Sequence, residues 1–485
     1  MRALYERAYA RTYGPRQTVL EDWRLYQDGI VGSYRVARVG HDERDTTSLG
    51  PVTYERGVLH GIHWEQDANG VTYTYPDVHE QKDALSEHDL RDPADDRDVH
   101  LLGESPDLDA YVVEVNPPAG RHAWYYIERR SGYLVRTERV RYGRRFITDD
   151  DDIRLVDGVP EPSRVRTVDA LGNERDQILV SRTVEDVPVP SAIEIPPTRH
   201  PLEIPTGVGP IRLPMRMVDG LPVVRTIVGR TAYDFLLDSG SSGIVVDPSV
   251  VDQQGFEHYG RHFGATLGTF TESTTVLSQL TVGELRMRDV VARVASLPFR
   301  PDAHTKIAGL LGFDFFADAI VHVDLPRGIV DVVAPERWHP PADASALSVG
   351  LTDRTQSVHL RVGSGIGRVV LDTGANRSLF VNTFADRADF GTERIPTVTR
   401  VRAIGGVSAA ETTHVSVIDL AGIEVRDPTV DVTSGSLGAD DLDGIVGTDV
   451  LREVELWFDD RTGTIYVRRA PISPVPLPTR SPLRR

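Results

Sequence analysis

Cysteine is absent from this 485-residue chain. No disulfide, thiolate nucleophile or cysteine metal site can form, and the redox compartment stays open. Positive charge is scarce: 54 Lys and Arg stand against 72 Asp and Glu, a net charge of -18. Phosphate backbones need a basic field, so no nucleic-acid partner is expected. The arginine-rich run RRSGYLVRTERVRYGRR at 129–145 alternates charge with aromatics and reads as the wet face of a sheet. Lysine itself is reduced to Lys82 and Lys306, which we take as genomic bias. No run approaches the roughly 18 apolar residues of a membrane helix, so no transmembrane segment is expected. The N-terminus, MRALYERAYARTYGPRQ, has no apolar signal core. As written it reads as cytoplasmic; a misplaced start codon or a processed chain would make it periplasmic or extracellular. His60 and His63 lack a third ligand at metal spacing, and HExxH does not occur. No metal and no cofactor are expected.

What is present is a repeat, the signature of an internal duplication. Asp238-Ser239-Gly240-Ser241 follows the apolar run Phe235-Leu236-Leu237. Asp372-Thr373-Gly374-Ala375 follows Val369-Val370-Leu371. Each loop is answered by an apolar-apolar-Gly stretch, IAGLLGFD with Gly309 and DGIVGTD with Gly444, 71 and 72 residues after its Asp. The two Asp lie 134 positions apart, about one lobe. Each therefore sits at the end of a buried strand, on a loop where glycine permits a tight turn. Two lobes, each offering one carboxylate, are expected. A short helix and then a hairpin should close each lobe, with PRG and RTG as the turns. Asp314 and Asp449 match between lobes and read as caps of those short helices. Asp440-Asp441 and Asp459-Asp460 read as solvated turns.

Upstream, residues 1–28 have helical character, with Trp23 and Leu25 leading into a first strand. Segments such as GSYRVARVG, GVLHGIHWEQ and GVTYTYPD then alternate with period two. That pattern gives antiparallel sheet with one apolar face. Residues 78–108 read as an acidic loop with one helical turn. PVPSAIEIPPTRHPLEIPTGVGP, at 188–210, is too rich in proline for a regular ladder and reads as a linker or extended arm.

The duplicated region resembles the pepsin and retropepsin superfamily of aspartic proteases over about residues 208–470. Two Asp-Ser/Thr-Gly loops, each after an apolar strand and each with its glycine partner, carry that resemblance. The N-terminal phrases GIHWEQDANGVTYTYPD, YYIERRSGYLVRTE and DDIRLVDGVPEPSRVRTVDALGN resemble the outer-membrane-lipoprotein-carrier-like domains of bacterial envelopes. The resemblance implies a mainly β, bilobal double lobe of closed β-sheets, preceded by a curved antiparallel β-sheet domain. The divisions are 1–195 for the sheet domain, 196–210 for a Pro-rich linker, 211–340 and 341–470 for the lobes, and 471–485 for a Pro-rich tail.

It further implies an aspartic endopeptidase that activates water between Asp238 and Asp372. Two carboxyls that close together cannot easily both ionise, so one keeps a proton while the other serves as base. Ser239, Gly240, Ser241, Thr373 and Gly374 would support them. Ser239 and Thr373 would interlock, and the Ser241 hydroxyl would bind the outer oxygen of its Asp. Ala375 departs from the pepsin pattern and matches the retroviral one. Flap tips are expected near Gly268 in the first lobe and at Gly405-Gly406 in the second, an ordinary glycine turn being the alternative. Tyr259 and Phe263 would line the cleft or pack in the core. The implied partner is a protein or peptide substrate, and one chain suffices for the site, so a monomer can act. The alternative is a catalytically inactive peptide-binding or envelope lipoprotein-handling protein.

Overall fold

A computed structural model of the chain describes all residues except 14–15, 75–80, 82–83, 86–92, 97, 118–120, 142–143, 157–158, 186–188, 208, 266–267, 303, 353, 392–394, 397–400, 405, 436, 438–441 and 472–485. Gly405, the Asp440-Asp441 pair and nearly all of the Pro-rich tail thus lie outside the described residues.

The N-terminal helix spans Arg2–Tyr13, shorter than the helical stretch expected, because the first strand already begins at Arg16. Tyr5, Ala8 and Tyr9 bury one helix face against Val113, Val115, Tyr125, Ile127 and Leu134. Among the described residues, thirteen antiparallel strands follow in one sheet. Strand Arg16–Gln27 pairs Ile30–Gly40 on one side and Glu174–Glu185, the last strand, on the other. The first and last strands of the region are therefore neighbours. Strand Asp98–Ser105 forms one edge, where the sequence suggested only a loop.

The Pro-rich segment is an extended strap from this sheet to the first lobe. Gln66 Nε2 donates to the Pro197 carbonyl and the Arg199 amide to that of Gly70. Farther on, Leu202 pairs with Met287 of the first lobe.

The first lobe is built on nine strands and the second on ten, among the described residues. Their shared core runs without a break from Val224 to Val467. Phe316 and Phe458 meet edge-on across it at 5.1 Å between centroids. Burying such a ring fully stabilises by roughly 1.5–3 kcal/mol. The hairpin expected after each short helix is present, at Ile320–Asp324 with Ile329–Val333 and at Val454–Asp459 with Thr464–Arg469. Both hairpins leave their lobes and pair with each other, Ile320 opposite Asp459, in a six-stranded sheet between the lobes. Glu455, fully buried there, is met by Arg327 and Arg468 at 2.5 and 2.6 Å.

This sharing overturns the expectation of closed β-sheets. Closure requires every strand to have two neighbours. The first-lobe sheet instead ends on Leu202–Glu203 and Tyr259–Ala265, although Thr269–Val282 folds back onto Leu285–Ala295. The second ends on Ile395–Pro396 and Ile423–Arg426. The molecule is mainly β and bilobal, but its sheets are open. Asp459, expected as solvated, is buried because its strand lies inside the shared sheet. Burial pushes its neighbour Asp460 up to about 7.

Candidate active site

In each lobe the Asp-bearing strand runs parallel to the glycine strand: Thr231–Leu237 beside Ile307–Leu311, and Gly365–Leu371 beside Gly444–Val446. The chain then crosses over. Val245–Val246 and Leu379–Val381, just past the loops, pair antiparallel to the same glycine strands. Each Asp loop is thus held on both sides of one buried strand. Main-chain bonds repeat by symmetry: the Asp238 amide donates to Leu311 and the Asp372 amide to Val446, at 3.0 and 2.9 Å. The Phe313 amide closes onto Ser241, and that of Thr448 onto Ala375.

The two loops interlock. Ser239 Oγ donates to the Leu371 carbonyl at 2.6 Å and accepts the Thr373 amide at 3.0 Å. Thr373 Oγ1 donates to the Leu237 carbonyl at 2.7 Å and accepts the Ser239 amide at 3.1 Å. Both side chains are buried. Four bonds therefore tie the lobes at a single point, directly beneath the two Asp.

The glycines let the carboxyls meet. A Cβ on Gly240 would fall 2.6 Å from Asp372 Cγ, and one on Gly374 would fall 2.5 Å from Asp238 Cγ. Such distances are impossible for real atoms, so any side chain would separate the loops. Gly240 and Gly374 instead donate their amides to Asp238 Oδ1 and Asp372 Oδ1, at 3.1 and 2.7 Å.

Each carboxyl thus lies over the glycine of the opposite loop, Asp372 over Gly240 and Asp238 over Gly374. Burial pushes Asp238 well above the usual carboxylate range, and the charge of Asp372 pushes it the same way. Burial also raises Asp372, against the opposing amide of Gly374. The pair accordingly holds one proton more readily than isolated carboxyls do.

Two expected roles change. Ser241 Oγ donates to the Gly243 carbonyl at 2.9 Å and not to its Asp, because the loop turns back within two residues. Asp314 and Asp449 do not cap their helices; Gly312 and Gly447 hold the N-cap positions. Asp314 accepts the Ile244 amide at 2.8 Å, and Asp449 accepts the Ser378 amide and hydroxyl at 3.1 and 2.8 Å. They fasten the chain just after each Asp loop. The matched spacing could have signalled this, since Ile244 and Ser378 each stand six residues past their Asp.

Behind the first loop lies a cluster that the sequence did not suggest. Asp67 of the N-terminal sheet lies 3.4 Å from Arg354 of the second lobe, which lies 3.6 Å from Asp314. Burial, then the charge of Asp314, pushes Asp67 up to about 7.

The flap candidates lie on hairpins. Gly268 sits in the bend between strands Tyr259–Ala265 and Thr269–Val282. Gly406 opens strand Gly406–Ser408, which pairs Val401–Ala403. Ile404, between these strands, packs against the first-lobe cluster that includes Val223, Leu236 and Ile307. Tyr259 and Phe263 meet the N-terminal sheet: the Tyr259 ring lies against Gly50, and the Phe263 main chain bonds Asn173. Among the described residues no group of three or more metal-binding side chains gathers, and no helix is long and apolar enough to cross a membrane.

The chain matches a family model described as aspartyl protease over residues 223–315 and 358–450, stretches that contain both Asp loops and both glycine strands. Among solved structures it is similar to an aspartic proteinase from Irpex lacteus, at 13% identity and a TM-score of 0.37, over 54% of this chain and 97% of that one. It is also similar to a LolA superfamily protein from Nitrosomonas europaea, at 12% identity and a TM-score of 0.31, over 40% of this chain and 96% of that one. No match was found among curated proteins. The chain resembles aspartic proteases in its lobes.

Proposed function

We propose that the protein is an aspartic-type endopeptidase with Asp238 and Asp372 as its catalytic pair. The observation that carries this reading is the pairing of two raised carboxyls on loops tied by Ser239 and Thr373. The substrate is a protein or peptide lying in extended form between the lobes, beneath lids tipped near Gly268 and Gly406.

A water held between the carboxyls is the nucleophile. The ionised Asp takes one of its protons as the oxygen attacks the peptide carbon. The protonated Asp donates to the carbonyl oxygen, giving a neutral tetrahedral diol. The Asp that took the water's proton passes it to the amide nitrogen, the other Asp takes a hydroxyl proton from the diol as the C–N bond breaks, and the pair again holds one proton. The pair's raised affinity for a proton suits this cycle, because the acid must still be protonated where the base is not. Both carboxyls come from one chain, so a monomer suffices.

The test is cleavage of a denatured protein or mixed peptide library across about pH 3 to 8. Wild type should cleave, and Asp238→Asn and Asp372→Asn should each lose about 10²–10⁴-fold or more, the usual size of a proton-transfer contribution. A folded wild type that cleaves nothing would sink the reading.

A further inference from the structure

The first-lobe flap strand, Tyr259–Ala265, is held from outside its lobe. The turn at Asp28 joins strands Arg16–Gln27 and Ile30–Gly40 of the N-terminal sheet. Its carbonyl accepts the Arg261 amide at 2.8 Å, and its carboxylate meets His262 Nδ1 at 3.1 Å. Asn173 lies in the turn between strands Arg164–Asp169 and Glu174–Glu185. Its Nδ2 donates to the Phe263 carbonyl at 2.9 Å, and its Oδ1 accepts the Phe263 amide at 2.8 Å. One side-chain amide thus satisfies both main-chain groups of Phe263, as a neighbouring strand would. Asn173 is itself fixed by Asp169, which accepts its main-chain amide and its Nδ2, each at 2.9 Å.

The flap strand is shaped to receive these turns. Its pairing with Thr269–Val282 slips in register between Tyr259 and His262. Gly260, within the slip, adopts φ +70° with Ile30 and Asp28 against it. The strand bends where the N-terminal sheet grips it.

We propose that the N-terminal sheet positions the first-lobe flap, with Asn173 as the main positioning residue. A lid that closes over substrate must be ordered, and ordering opposes binding. A strand already fixed at Arg261–Phe263 has less freedom to lose, so the contact acts on substrate affinity. His262 adds a pH dependence. Burial would lower its imidazole, but the hydrogen bond and charge of Asp28, with the charges of Glu272 and Asp169, outweigh burial and raise it. The protonated ring strengthens the contact with Asp28, and that part weakens as pH rises through the His262 titration.

The kinetic arm of the test rests on the peptidase reading; the exchange arm does not. Full-length wild type, Asn173→Ala and Asn173→Asp are compared, each also on the Asp238→Asn background. Hydrogen exchange is read at residues 259–265, and KM and kcat on the cleaved peptide. Asn173→Ala should speed exchange at Phe263 about tenfold, the effect of losing one or two net hydrogen bonds. KM should rise several-fold with kcat little changed. Asn173→Asp keeps the acceptor and should lie between. Unchanged exchange in Asn173→Ala overturns the proposal, as does faster exchange with an unchanged KM. Absence of cleavage in every form would remove the peptidase reading, while exchange on the Asp238→Asn background would still decide whether Asn173 holds the flap.

Discussion

Thr373→Val is the sharpest test of how the two lobes are tied. The substitution keeps the side chain's volume and branching and removes only the hydroxyl. Thr373 is fully buried, and its Oγ1 makes two of the four bonds between the loops. In the variant the Ser239 amide loses its partner, and the Leu237 carbonyl loses a donor. A buried polar group left without a bond costs about 1–3 kcal/mol, so two give roughly 2–6 kcal/mol. Thr373→Ser keeps the hydroxyl and loses one methyl, about 1 kcal/mol. The difference between the variants is therefore about 1–5 kcal/mol and isolates the hydroxyl. Urea unfolding of wild type and both variants measures it, with hydrogen exchange at Ser239 and Thr373 confirming where the loss occurs. A valine variant within ~0.5 kcal/mol of the serine one would refute the tie, since that is the scatter of surface substitutions.

Other outcomes follow from the same geometry. Because burial raises both site carboxyls, the one-proton state should persist above the ordinary carboxylate range. The alkaline limb of kcat/KM should accordingly lie well above about 4; a profile that falls away near 4 contradicts the pairing. Ala375→Ser should leave that profile in place, because Ser241 shows that a hydroxyl at this position bonds the carbonyl two residues on; a shifted limb would show the hydroxyl reaching Asp372. Asp67, pushed up to about 7, prefers its proton in the folded state. Its contribution is present below the unfolded carboxylate pKa and is lost as pH rises through about 7. Asp67→Asn keeps an acceptor for the Asn69 and Val71 amides, so its melting temperature should gain on wild type from pH 5 to pH 8; a constant difference would mean that Asp67 is ionised throughout.

The Asp loops were legible because their chemistry is local. An apolar strand, an acidic turn and a glycine strand recur at nearly equal spacing, and sequence displays spacing directly. The six-stranded sheet was hidden for the opposite reason. Ile320 pairs with Asp459 across 139 positions, and nothing in either hairpin names its partner. The expectation of closed sheets failed with it, because closure depends on where those hairpins go. The Ser241 hydroxyl was misdirected by resemblance: its position was right, but the local turn chose its acceptor. In the N-terminal region strand Asp42–Leu49 escaped notice because its inward residues are Glu43, Asp45, Thr47 and Leu49. Period-two alternation of hydrophobicity cannot reveal a strand whose buried face is charged.

That same face bears on what the N-terminal sheet can carry. A module that handles acyl chains needs an apolar groove, since burying an ion against hydrocarbon is costly. Strand partners place Glu21, Arg38, Glu43, Asp45, Arg56 and Arg182 on one side of the sheet. Arg38 meets Glu43 at 2.5 Å and Glu21 at 3.6 Å, Arg56 meets Asp45 at 3.0 Å, and Arg182 joins Glu21 to Glu161. The same side also buries Val19, Val36, Leu49 and Val58, so these ion pairs sit among apolar side chains. The turns at the sheet's margin are more specific: Asp28, Gly50, Asn69 and Asn173 all touch the first lobe, Asn69 exchanging two bonds with the Val291 main chain at 2.8 and 3.1 Å. The turns of the sheet fit a neighbouring lobe, which suits the sheet to holding that lobe in place.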